Sequence, residues 1–279
     1  MLAFSMLYSL SLVVLGLCAD ARWRVGGALA VLLLAGLVGL ATWLFVMLAL
    51  GYVALSAWMQ ASWAPPWLAW ARIAVWVVAS AGLVIHAWPG HEGLVVVEQQ
   101  VLKAQSLPMS LYLNHDKVLV AWSLLGWLPL FGRSVSPVGG VPSLAMPWLA
   151  AAGIVALMGL AVALGLVAWQ PGLVEVAWVF ALANLLNTCI AEELLFRGML
   201  QRWLMGRAGA LAGVALSSGL FGVAHLAGGG TFVLVATAAG LLYGLVYLWT
   251  GRLVWAVLVH WGLNLSHLLL FSYPMLAGA

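Results

Sequence analysis

The chain has 279 residues, 66% hydrophobic and only 6% charged, with a formal net charge of +3 and a mean hydropathy of +1.15. A water-soluble domain carries nearer a quarter charged residues, so too few polar side chains exist to cover a solvent-facing surface, and a polytopic membrane protein is implied. The Lys and Arg residues are scattered without a patch, which argues against a nucleic-acid partner.

Crossing a bilayer takes about 17–25 apolar residues per helix. The first such run covers 2–19 and stops at Asp20, Arg22 and Arg24; with no basic region before it and no small-residue cleavage site after it, it reads as a retained span rather than a signal peptide. A long run over 25–59 is expected to cross once, with Gly51 its one candidate break. The loop Ala64-Pro65-Pro66 precedes a span at 67–88. Residues 89–117 form the only substantial polar stretch, within which 95–103 is expected as a short interfacial helix. The apolar run 118–131 is too short to cross and is expected as a re-entrant or short segment. A Gly/Pro/Ser loop over 133–147 is followed by spans at 148–170, 174–204, 208–227, 231–249 and 253–271.

With 25–59 crossing once, Arg22, Arg24, Lys103, Lys117, Arg133, Arg202, Arg207 and Arg252 all fall on one side, which the positive-inside rule makes cytoplasmic. Arg72 alone dissents and is expected to snorkel. The expected fold is all-α: a membrane helix bundle of about eight transmembrane helices, with both termini outside. The 17 Trp suit membrane interfaces. Cys18 and Cys189, each alone in an apolar run, form neither a disulfide framework nor a Cys-based metal site.

Three of the C-terminal runs carry ionisable or amide groups, each costing roughly 2.5–3.5 kcal/mol at the centre of a span when charged. The first reads Glu192-Glu193-Leu194-Leu195-Phe196-Arg197-Gly198, the second Phe221-x-x-x-His225, the third His260-x-x-x-Asn264. Glu193 and Arg197 are four apart on one helical face and are expected to pair. Glu192 points about 100° away and continues a polar stripe of Asn184, Asn187 and Thr188 toward the bundle interior. His260 and Asn264 share a face, which His267 extends. A carboxylate, two imidazoles and an amide meeting in mid-membrane suit hydrolysis by an activated water: carboxylate and imidazole handle the proton, while imidazole and amide stabilise an oxyanion.

These three motifs, in this order and with one motif-free span between the second and third, resemble those of the CPBP family of CAAX prenyl endopeptidases and bacteriocin-processing or bacteriocin-immunity (ABI) proteins. The resemblance covers about a third of the chain. It implies a glutamate-type intramembrane endopeptidase in which Glu192 and His225 activate the water, His260 and Asn264 form the oxyanion site, and Glu193 with Arg197 positions the first helix. Leu113-Asn114-His115-Asp116-Lys117 faintly resembles a branch of the family linked to C-terminal protein-sorting tags; the plainer reading is a helix start capped by Asn114 or Asp116.

Plainer readings compete elsewhere too. A lone membrane histidine is an interhelical hydrogen-bond partner or simply solvated, and that is the reading for His86, His91, His115 and His267. Gly240 and Gly244 are expected to permit close helix packing. Zinc held by Glu192, His225 and His260 is the alternative to a cofactor-free reaction, but no HExxH is present and the ligands come from three separate helices. A proton-coupled transporter is the rival class, though the paired, interrupted helices of repeated halves are not seen; a non-enzymatic immunity or scaffold protein of the same fold is a third. The expected organisation is residues 1–145 as N-terminal membrane helices with the polar connecting segment and 146–279 as the catalytic core, in one integral membrane unit. It would sit in the bacterial inner (cytoplasmic) membrane and act on a membrane-anchored protein or peptide; oligomeric state is left unknown.

Overall fold

The computed structural model describes residues 1–60, 65–139 and 141–278. Among them run ten helices: α1 (Leu2–Gly16), α2 (Ala21–Leu37), α3 (Trp43–Met59), α4 (Pro66–Val84), α5 (Lys117–Leu125), α6 (Met146–Ala163), α7 (Ala177–Ala208), α8 (Ala210–Val223), α9 (Gly230–Thr250) and α10 (Leu253–Leu270). Five of them, α4, α6, α7, α9 and α10, are long and apolar enough to cross a membrane, and α1, α3 and α8 are shorter apolar helices. Large apolar side chains such as Trp148, Val155, Trp178 and Leu211 stand more than two-thirds exposed on these helices, as expected where lipid takes the place of a protein core. The chain is thus an all-α integral membrane protein.

Two compact units divide it: Met1–Val96, Tyr112–Trp127 and Leu186–Ala191 form one, and Val97–Leu111, Leu128–Leu185 and Glu192–Ala279 the other. In the first, α1 packs on α2 and α5, α2 on α3, and α3 on α4. In the second, α9 is central, packed against α6, α8 and α10 and against the Leu194–Gln201 stretch of α7.

The run 25–59 does not cross as a single helix. It breaks into α2 and α3 at Gly39, whose φ of +71° suits only glycine, and at Thr42, whose hydroxyl accepts the Phe45 N–H as an N-cap at 3.2 Å. Gly51, the expected break, lies within α3. Among the described residues the apolar helices are the five long ones and the shorter α1, α3 and α8, so of the two pieces of this run only α3 counts among them. Ala64 of the expected loop lies outside the described residues, and Pro66 opens α4. Nor is 95–103 helical: β1 (Leu94–Gln100) pairs with β2 (Met109–Leu113) in a two-stranded sheet, because the β-branched run Val95-Val96-Val97 favours strand. The short apolar run yields α5, nine residues and about 13.5 Å long, too short to cross. Asp116 caps it, its carboxylate accepting the Lys117 N–H at 2.8 Å.

Arg72 does not snorkel. It is buried, donates to the Trp58 carbonyl at 2.8 Å near the end of α3, and stacks on the Trp58 ring. Lys103 is likewise buried, donating to the carbonyls of Gln170 and Phe271 at 2.8 Å each, and that burial lowers its pKa.

Close approach of α8 to α9 rests on Gly222: a Cβ there would stand 1.9 Å from Thr237 Oγ1 and 2.8 Å from the Val233 carbonyl oxygen. Gly219, one turn earlier, faces open space. Gly222→Ala is expected to cost about 1–3 kcal/mol through overpacking, whereas Gly219→Ala should fall within about 1 kcal/mol of the parent, on the stabilising side. Thermal unfolding of the two variants in detergent checks the difference.

Candidate active site

Helix α7 is not regular. Asn184–Cys189 and Leu194–Gln201 are π-helical, separated by the single α-turn Ile190–Glu193. At the end of the second stretch the Arg202 N–H reaches back five residues to the Arg197 carbonyl. Wide turns of this kind recur at functional sites, and here they bracket the two carboxylates.

Glu193 lies at the centre of the site. Its side chain and that of Arg197 are fully buried, and Arg197 Nη1 donates to Glu193 Oε1 at 3.0 Å. The same oxygen meets His260 Nδ1 of α10 at 2.8 Å. Arg197 Nη2 donates across to the Gly240 carbonyl of α9 at 2.9 Å, and one turn on Gln201 Nε2 donates to the Gly244 carbonyl at 3.0 Å. The two glycines make this approach possible. A Cβ on Gly240 would stand 3.2 Å from Arg197 Nη2, and one on Gly244 would stand 2.8 Å from Gln201 Oε1.

His225 sits just past the end of α8, with non-helical backbone. The helix stops at Val223, ahead of the Gly228-Gly229-Gly230 run, so the expected span 208–227 is shorter than its apolar length. The His225 Nδ1–H donates to the Phe221 carbonyl at 2.8 Å, a carbonyl in the last turn that lacks a helical partner. Phe221 joins the parts: its ring lies against His225 (4.7 Å between centroids), against the edge of His260 (5.8 Å), and beneath the Arg197 guanidinium (4.6 Å). Tyr243 of α9 stacks flat on His260 at 4.6 Å and 14°. Asn264 Nδ2 donates to Asn184 Oδ1 at 3.0 Å, tying α10 to the polar stripe of α7. Glu192 is half-buried and next to Glu193.

The structure therefore gathers Glu193, Arg197, His225 and His260 around Phe221, with Asn264 one turn along α10. His267 does not extend this site; its Nε2 donates to the Ser272 carbonyl at 3.2 Å and its ring packs on Tyr273. Tyr243 went unnoticed in the sequence, and Gln201, which follows the first motif, was given no role of its own. Their only signal is the pattern Gly240-x-x-Tyr243-Gly244 and the placing of Gln201 four residues after Arg197.

A family model described as Type II CAAX prenyl endopeptidase Rce1-like matches residues 173–266, a segment that contains all three motifs. The resemblance carried by those motifs is borne out there, and the class it defines is a membrane-embedded protease. Comparison with curated proteins and with solved structures gave no match.

The buried pair gives a stability test. Removing one partner of such a pair leaves an uncompensated charge and costs about 3–5 kcal/mol. Arg197→Ala should lower stability by that order, and Glu193→Gln/Arg197→Gln should recover part of the loss. Arg197→Lys is expected to fall well short of the parent, since an ammonium cannot span Glu193 and Gly240 as the planar guanidinium does. Unfolding midpoints in detergent measure all three.

Proposed function

We propose that the protein is an intramembrane endopeptidase of the glutamate type, hydrolysing a peptide bond near the C-terminal end of a membrane-anchored protein, as in CAAX-like or sorting-tag processing, in the bacterial inner membrane. In this reading Glu192 accepts a proton from a water held with His225, the hydroxide attacks the scissile carbonyl, and the proton returns to the leaving amine. His260 and Asn264 donate hydrogen bonds to the oxyanion of the tetrahedral intermediate. Glu193 and Arg197 position the helix that carries Glu192. No metal ion takes part in the steps as proposed.

The observation that carries the reading is the way each imidazole is tied. With Nδ1–H of His225 donated to a carbonyl, the neutral ring presents Nε2 as an acceptor, the polarity this reading needs to orient a water through its proton. His260 is held through Nδ1 by the Glu193 carboxyl, which leaves Nε2 as the ring atom offered to the oxyanion in this reading. The match to a protease family over 173–266 supports the same assignment.

The test is cleavage of a membrane-anchored peptide in reconstituted vesicles. Glu192→Gln and His225→Ala should each reduce turnover by about 10²–10⁴-fold, the worth of general acid–base catalysis. Asn264→Ala should reduce it by about 10²–10³-fold, the worth of one oxyanion donor. Undiminished cleavage by either of the first two variants removes the mechanism.

A further inference from the structure

A second group of ionisable side chains lies in the other unit, outside the family match. His86, His91 and Asp116 bring one ligand atom each to within 4.8 Å of one another. His86 Nδ1 is 2.9 Å from both Asp116 oxygens, and His91 Nε2 is 3.5 Å from Asp116 Oδ1. The two imidazoles stack at 5.6 Å and 22°. From these we infer that His86, His91 and Asp116 bind a divalent transition-metal ion of the zinc class.

The first support is geometric. Four-coordinate zinc with bonds of 2.0–2.1 Å sets its ligand atoms about 3.3 Å apart; two of the separations here, 2.9 and 3.5 Å, bracket that value. The second is an orphaned atom. The His91 side chain is only 6% exposed, yet its Nε2 is buried without a hydrogen bond. The third is the backbone of His86. Helix α4 closes with the Ala87 N–H on the Gly82 carbonyl at 2.9 Å and His86 at φ +59°. That left-handed position is ordinarily glycine's, and here it turns an imidazole onto Asp116.

Access and support are also present. Asp116 is wholly buried, while a third of the His86 side chain is exposed, giving an ion a way in. Asn114 lies 3.0 Å from His86 Nε2. With Nδ1 ligating, Nε2 carries the proton, and the Asn114 amide, turned over, accepts it through Oδ1. Two imidazoles and one carboxylate select the zinc class over calcium or magnesium, which prefer oxygen ligands throughout. His115 is not a ligand; its Nε2 meets Ser5 Oγ at 2.5 Å and its ring meets Tyr8. Three protein ligands leave a position for water or an exogenous group.

The experiment is titration of untagged, chelator-stripped full-length protein in detergent with Co²⁺, followed by its visible absorption and by unfolding midpoint. One equivalent should bind with a tetrahedral-type spectrum and raise the midpoint. Asp116→Asn, which keeps the helix cap, His91→Gln, and His86→Gly, which suits the left-handed backbone, should each weaken binding at least about 100-fold, the upper end of what losing an outer partner costs. His225→Ala/His260→Ala should bind as the parent does. No uptake by the parent, uptake unchanged in the three variants, or uptake lost only in His225→Ala/His260→Ala would each overturn the assignment.

Discussion

A single carboxylate oxygen, Glu193 Oε1, accepts from Arg197 within its own helix and meets His260 from α10. None of the Glu193 or Arg197 side chain is exposed, so the interaction is formed where water cannot compete. A lone carboxylate in such a place would be neutralised by a proton or pulled to the membrane surface. Sharing it between a guanidinium and an imidazole gives it two partners and holds it in place. The crossing of α7 with α10 is thereby fixed at the residue beside Glu192, which is where the proposed chemistry needs its rigidity.

The guanidinium is the expensive member of this group, and the structure gives partners to its two flat faces and to both Nη atoms, while its Nε stays buried without one. Its flat faces meet the rings of Phe221 and Tyr243, its Nη1 meets a carboxylate, and its Nη2 meets the Gly240 carbonyl, which is within reach only because that residue lacks a side chain. Gln201 repeats the arrangement at Gly244. A glycine seam that reads as generic helix packing thus also exposes backbone acceptors to polar side chains of α7. Buried ion pairs seldom add net stability over apolar packing; what this one supplies is a defined register between α7, α9 and α10.

How much of this could be read from the chain follows from the range of each interaction. The i,i+4 pairs were legible: Glu193 with Arg197, and His260 with Asn264 on one face. So were most helices, because an apolar run of twenty residues has few alternatives in a bilayer. The break between α2 and α3 was missed because its signal, Gly39 followed three residues on by Thr42, is short and buried in apolar sequence. The basic residues misled in a different way: Arg24 and Lys103 are more than nine-tenths buried, so counting them as solvated loop charges overstates the topology signal. The π turns of α7 leave no periodic mark, and they alter which residues share its face. His86, His91 and Asp116 come together through a helix end and the N-cap of α5, separations that no helical period reports.

The two imidazoles of the candidate active site are not interchangeable, and the reason is local. His225 spends its Nδ1 proton on a carbonyl that α8 leaves open by ending early at Val223. This leaves Nε2 as the ring atom that the proposed water would meet. His260 directs Nδ1 at the Glu193 carboxyl. In the proposed reaction the first therefore handles the proton and the second the oxyanion, although both rings pack on Phe221. A helix terminus sets the first polarity and a buried ion pair sets the second. Hydrolysis of an amide needs both at once, on opposite sides of one carbonyl, and backbone carbonyls alone could not provide the second.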